Sequence, residues 1–299
     1  MDKAPAFGAG DRGFNKGAKI PPGSLVILLR EVIMLLTTRI TEAVLYILRK
    51  LKVDTSDKDR VLINPPFFIL NRIENVALSE VIEGVLTYFH VYTNTDDIIL
   101  IGSEIFEDYE KVLYKNCYYI VEKRWGINFS DVDILGFKEY PLSSGKKVML
   151  SKLLTENNSH IINIGEIKPP SMKFSAVANV LINLLSPKDR VALLRDESQV
   201  YEILSSIDKK ILANIGFTYV DYYNCYLLIG TRNLYILDAL IAAIYSMPIL
   251  TVPYIREAMD DEVISRQLFY DINIYGTPLE LVRCAMKKRK RSYIEEEYW

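Results

Sequence analysis

The chain has 299 residues, half of them hydrophobic and a quarter charged, with a formal net charge of −2 at pH 7. That length buries a large core, in one large domain or two smaller ones, and the composition is ordinary for a globular protein. So small a net charge excludes binding of a polyanion by bulk charge, which leaves any nucleic-acid contact to local clusters.

Residues 1–23 read as a flexible arm. Gly8, Gly10, Gly13, Gly17 and Gly23 fall in it and Pro21-Pro22 closes it; glycine loses the most entropy on ordering. Charges and glycines stand where a signal peptide would carry an apolar run. Ser24 caps a long helix expected over Leu25–Leu51, in which Val32, Leu35, Leu36, Ile40, Val44, Ile47, Leu48 and Leu51 follow helical spacing. Arg30, Glu31, Arg39 and Glu42 interrupt it, and no segment reaches the roughly 18 uninterrupted apolar residues of a membrane span. Asp54–Asp59 is a charged loop.

Beyond it, strand-like and helical runs alternate. Arg60–Asn64 is a strand stopped by Pro65-Pro66. A helix over Ser79–His90 takes Ser79 as its cap. Asp97–Ile101 is the clearest strand of the first half, and a helix over Glu104–Lys123 follows. Val132–Phe137 is a weaker strand, Ser143-Ser144-Gly145 a turn, and His160–Ile167 a strand. Lys168-Pro169-Pro170-Ser171 opens a helix over Phe174–Leu185, which Pro187 stops. Arg190–Leu194 reads as a strand and Ser198–Asn214 as a helix, with Gly216 just past its end. The Tyr-rich run Phe217–Ile229 makes one or two strands, with a hairpin around Tyr223-Asn224. Leu234–Ser246 is apolar on nearly every side and reads as a buried helix feeding a strand over Ile249–Val252. Asp260–Tyr270 and Pro278–Met286 are further helices. The alternation predicts an α/β fold: a mixed or mostly parallel sheet flanked by helices, with long terminal helices. A mostly α fold is the alternative. The domain reading is an arm over 1–23, a single body over 24–286 and a charged tail over 287–299.

Several residues invite a chemical reading. Asn64-Pro65-Pro66-Phe67, after a strand-like run, is similar to the NPPF/NPPY motif of amino-group methyltransferases that use S-adenosylmethionine. The resemblance implies that the Asn side chain and a backbone carbonyl accept hydrogen bonds from a target amine while the aromatic ring stacks on the base. That family also carries a glycine-rich loop after its first strand and an acidic residue that holds the ribose. Here Phe7-Gly8-Ala9-Gly10 has no strand before it, so the likeness covers four residues.

Gly102 and Gly230 each stand at a strand end before a helix, where backbone N–H groups bind anions or simply turn the chain. His90 and His160 have no Cys or His partner at metal spacing. Asp131 and Asp133 share a face if extended, and Asp260-Asp261-Glu262 suits a helix start. Asp238 lies inside the apolar helix and reads either as a carboxylate held by a polar partner, such as Arg232 or a backbone N–H, or as a functional acid. Cys117, Cys225 and Cys284 form neither a metal spacing nor an even disulfide framework, as expected of free thiols in a reducing compartment.

The densest charge cluster is Lys287, Lys288, Arg289, Lys290 and Arg291, followed by Glu295-Glu296-Glu297. With Arg12, Lys16 and Lys19 on the arm, both ends carry basic segments suited to a nucleic-acid backbone, RNA or DNA. Twenty tyrosines favour interfaces. The first functional expectation is therefore a non-enzymatic, assembly-forming structural protein, such as a viral nucleoprotein or capsid-associated protein. It would self-associate through the arm and contact nucleic acid through its basic ends, inside the cell, in cytoplasm or nucleus. No cofactor is expected. The second is an α/β enzyme acting on a nucleotide or nucleic acid, methyltransferase-like at Asn64–Phe67, with Asn64–Phe67, Gly102 and Gly230 lining a site at the strand ends.

Overall fold

A computed structural model of the chain describes residues 31–56, 59–66, 72–93, 95–102, 118–155, 158–169, 176–195, 199–220, 223–261, 269 and 272–286. Its strands are β1 (Glu31–Thr37), β2 (Arg60–Asn64), β3 (Ile98–Gly102), β4 (Asn128–Asp131), β5 (Phe137–Pro141), β6 (Lys147–Ser151), β7 (Ser159–Glu166), β8 (Ile211–Val220), β9 (Cys225–Thr231) and β10 (Asn273–Gly276). The helices are α1 (Ile40–Lys50), α2 (Arg72–Tyr92), α3 (Tyr118–Trp125), α4 (Val132–Leu135), α5 (Lys152–Thr155), α6 (Asn179–Leu184), α7 (Pro187–Arg195), α8 (Val200–Ile207), α9 (Leu234–Ile244), α10 (Pro253–Asp260) and α11 (279–286).

Eight strands form one sheet in the order β10-β1-β9-β8-β7-β2-β3-β4, and β5 and β6 make a separate hairpin. β4, β3, β2, β7 and β8 all run parallel; β9 is antiparallel to both β8 and β1, and β10 is parallel to β1. The fold is thus α/β, as the alternating runs predict. Apolar side chains cover both faces. α1, α2 and α3 bury Val44, Ile47, Val81, Val85 and Val121 against Ile63, Leu100 and Ile164. On the other face α6, α8, α9, α10 and α11 pack Leu181, Leu204, Leu237, Ile255 and Val282 over Leu62, Ile161 and Ile229. Every residue of α9 is buried, as expected of a helix apolar on all sides.

Where elements depart from expectation, local chemistry explains it. The long helix expected over Leu25–Leu51 is strand β1 followed by α1; residues 25–30 lie outside those described. Val32 and Met34 bury on one face of the sheet and Ile33 on the other, so the central VIMLL is apolar without alternation and mimics a buried helix. Ser79 does not cap a helix: it lies inside α2, where its hydroxyl donates to the Val76 carbonyl.

Val132–Phe137 is not a strand. The Asp131 carboxylate accepts from the Asp133 N–H and starts the single turn α4, which Gly136 ends at φ +84°. Arg190–Leu194 is helix α7. Pro187 starts that helix, because Ser186 at its head accepts from the Asp189 N–H. Asn214 and Gly216 belong to β8, since the helix expected over Ser198–Asn214 ends at Ile207. Ile249–Thr251 is one 3₁₀ turn, with Pro248 and Pro253 on either side. Asp260 closes a helix instead of opening one.

Candidate functional site

In an open α/β sheet the chain leaves one strand toward one edge and returns to start toward the other. The crevice at the carboxyl ends of those two strands is where such folds bind ligands. Here β2 leads to β3 and β4, and the chain then returns to β7 and β8 on the opposite side of β2. The switch therefore falls between β2 and β7. Asn64-Pro65-Pro66 ends β2, and Glu166 ends β7.

The floor of this crevice is a row of buried asparagines. Asn64, Asn163 and Asn214 are level with one another on β2, β7 and β8. Asn64 Nδ2 donates to Asn163 Oδ1 at 3.1 Å, and Asn163 Nδ2 donates to Asn214 Oδ1 at 3.0 Å. From α6 above, Asn183 Nδ2 donates to Asn64 Oδ1 at 2.8 Å. Two backbone carbonyls fix the sense of the relay, because a carbonyl can only accept. Asn183 Nδ2 also donates to the Pro65 carbonyl, and Asn163 Nδ2 to that of Ala176. The relay ends in a donor, Asn214 Nδ2, and an acceptor, Asn183 Oδ1, neither of which has a hydrogen-bond partner among the described residues.

The returning segment is held just above this row. Ala176 crosses so close to β7 that a Cβ on Gly165 would stand 2.4 Å from the Ala176 carbonyl oxygen. Asp238, buried in α9, accepts from the Val177 N–H at 3.2 Å and from the Tyr254 hydroxyl at 2.6 Å. A backbone N–H, one of the two partners expected for it, is thus in place. At the rim, Lys168 Nζ lies 2.6 Å from Glu166 Oε2, both largely buried (22% and 9% of the side chains exposed). A proton carrier and a cation thus stand together at the end of β7. Residues 67–71, 103–117, 170–175 and 221–222, which follow β2, β3, β7 and β8, lie outside the described residues, Phe67 among them.

The other expected site residues scatter. Gly102 ends β3 on the crevice side, but a Cβ there would stand 2.5 Å from the Phe129 ring, so close packing accounts for the glycine. Gly230 pairs with Ile215, next to the level of the asparagine row, but β8 separates its strand from β7 and it packs against α1, so it does not line the crevice between β2 and β7. A Cβ on it would stand 2.1 Å from Ile47 of α1.

His90 stacks on Trp125, and His160 sits 3.7 Å from Asp59 at the start of β7. Asp133 pairs with the buried Arg190 through two contacts, at 2.9 and 2.6 Å. Among the described residues, no group of three or more His, Cys, Asp or Glu side chains is placed to hold a metal. Arg12, Lys16, Lys19, Lys287, Lys288, Arg289, Lys290, Arg291 and Cys117 lie outside the described residues; Cys225 and Cys284 are free thiols.

Residue-by-residue reading of the sequence misses Asn163, Asn183 and Asn214. One signal does point to two of them: Asn-Ile-Gly occurs in both β7 and β8, and the two copies pair residue for residue. No protein-family model matches the chain, and no curated protein or solved structure shows significant similarity to it. No helix among the described residues is long and apolar enough to cross a membrane.

Proposed function

We propose that the chain is an α/β enzyme that binds a nucleotide-class ligand in the crevice between the carboxyl ends of β2 and β7. The observation that carries this is the reversal of strand order between β2 and β7, with five parallel strands spread around it. Glu166 and Lys168 are the groups at the rim able to move a proton or meet a phosphate. Asn64 serves differently from its namesake in the NPPF motif. Its amide is fully buried and engaged with Asn163 and Asn183, so it shapes the floor and does not face a target amine. The reading rests on the crevice, not on that motif.

Thermal melts with a panel of ATP, GTP, NAD and S-adenosylmethionine, each at about 1 mM, test it. A ligand present at 100 times its Kd adds about 2.7 kcal/mol to the folded state and raises the melting temperature. Lys168→Ala is expected to remove most of that shift. A panel in which nothing moves the melt overturns the reading.

Self-association through residues 1–23, nucleic-acid contact through the two basic ends and an intracellular location are separate proposals, supported by composition alone. Deleting residues 1–22 is expected to abolish oligomers in light scattering while the body stays folded; unchanged oligomers would sink the arm's role.

A further inference from the structure

At the far end of the sheet from the crevice, three helices finish near one another, and the ends of α1 and α2 combine cations with exposed rings. α2 ends in His90, Val91 and Tyr92, all exposed. The chain then reaches Asp97, whose carbonyl accepts from the Val61 N–H at the amino end of β2, which places this surface below the strands' amino ends. From α1, the Arg49 guanidinium lies 5.0 Å from the Tyr92 ring centroid, and Lys50 Nζ lies 5.6 Å from that of Tyr46. From α3, Trp125 stacks on His90, with centroids 5.5 Å apart and planes at 10°. Tyr46 and Tyr92 are 45% and 49% exposed and Val91 63%, so large apolar groups face water between the charges.

Lys52 follows α1, and Lys123 and Arg124 stand in the last turn of α3, all three exposed. The acids nearby are Asp54, Glu83, Asp96, Asp97 and Glu122; Glu83 is held by Arg124 and Asp97 by Arg60, each at 2.8 Å. Cations in a last turn also complement the helix carbonyls, but that accounts for the charges and not for the exposed rings. The exposed rings of Tyr46 and Tyr92, each beside a cation, match the chemistry of single-stranded nucleic acid, whose bases stack while its phosphates seek positive charge.

We propose that this strip of α1, α2 and α3 binds single-stranded nucleic acid, with Tyr46 and Tyr92 as stacking rings, Arg49 and Lys50 as phosphate contacts, and the partly buried Trp125, stacked on His90 beside them, as a neighbouring reporter. The site is independent of the crevice. It also differs from the basic termini, because it lies on the folded body.

The test uses the full-length chain carrying Trp299→Phe, which leaves Trp125 as the sole tryptophan. Its fluorescence is followed while a 20-mer of uridylate, a 20-mer of thymidylate or a 20-base-pair duplex is added. Saturable quenching by a single strand, stronger than by duplex, is expected; the two 20-mers distinguish RNA from DNA. Tyr46→Ala combined with Tyr92→Ala is expected to weaken binding at least tenfold. Replacing residues 287–291 by glutamine is expected to leave the quenching of Trp125 in place. The proposal fails if Trp125 is not quenched, if duplex binds as well as single strand, or if only the 287–291 variant loses binding. Quenching in the parent protein reads the site directly even if the double variant folds poorly.

Discussion

Asn163 makes three hydrogen bonds with one amide, to Asn64, Asn214 and the Ala176 carbonyl. Asn163→Leu leaves all three partners buried and unsatisfied, at about 1–3 kcal/mol each. We expect the urea midpoint to fall by at least about 3 kcal/mol of stability at constant m; a change under about 0.5 kcal/mol would show that the row is not closed as described.

His160 gives a pH-dependent counterpart. Burial holds its pKa below the ordinary 6.5, Lys210 adds to this, and Asp59 opposes it. The folded protein therefore resists a proton that the unfolded chain accepts, so stability falls as the pH drops below about 6.5. Asp59 is itself lowered, chiefly by the bond from the Ser56 N–H, and its contribution is lost at still lower pH, as the carboxylate is protonated. His160→Gln should flatten the slope of stability between about pH 6.5 and 5; an unchanged slope assigns it elsewhere. At the alkaline end, burial pushes Tyr235 up to about 12, so stability falls as the pH rises above 10. Tyr235→Phe should remove one tyrosinate step near pH 12 from the absorbance at 295 nm. None of this was legible from single residues, since His160 and the asparagines gain their roles only from neighbours far along the chain.

Helices and strands meet at glycines whose missing Cβ sets the approach distance. Gly230→Ala would force α1 away from β9 at Ile47, with an expected loss of about 1–3 kcal/mol and no effect on ligand binding in the crevice. Gly165→Ala presses instead on Ala176, the segment that roofs the asparagine row, and should weaken the nucleotide-induced shift in melting temperature as well as stability. Equal effects of the two substitutions on the ligand shift would separate the roof from the site.

At this scale the sequence was partly legible. RVLIN, the DIILI run, HIINIGEI and the Tyr-rich hairpin stood out because short β-branched runs ended at turn residues. β1 hid because burial on both faces erases the alternation that marks a strand. α7 is hard to see in the sequence because Pro187 in Ser186-Pro187-Lys188-Asp189 starts a helix while the same residue type commonly stops one.

Taken whole, the described chain has one continuous eight-stranded sheet with apolar cores on both faces, beside the β5-β6 hairpin. We expect a single cooperative urea transition, with tryptophan fluorescence and far-UV circular dichroism coinciding; two separated transitions would divide the body. The α/β class was legible from alternation alone. Strand order was not, because the switch between β2 and β7 depends on which distant strands pair. The position of β1 has a consequence for synthesis. It leaves the ribosome before its partners, because it lies between β9 and β10, roughly 190 residues or more further along the chain. At ribosomal rates of about 5–20 residues per second, this apolar segment waits about 10–40 s for its neighbours. In the cell, the nascent chain depends throughout that interval on whatever shields Val32, Ile33 and Met34 from other unfinished chains.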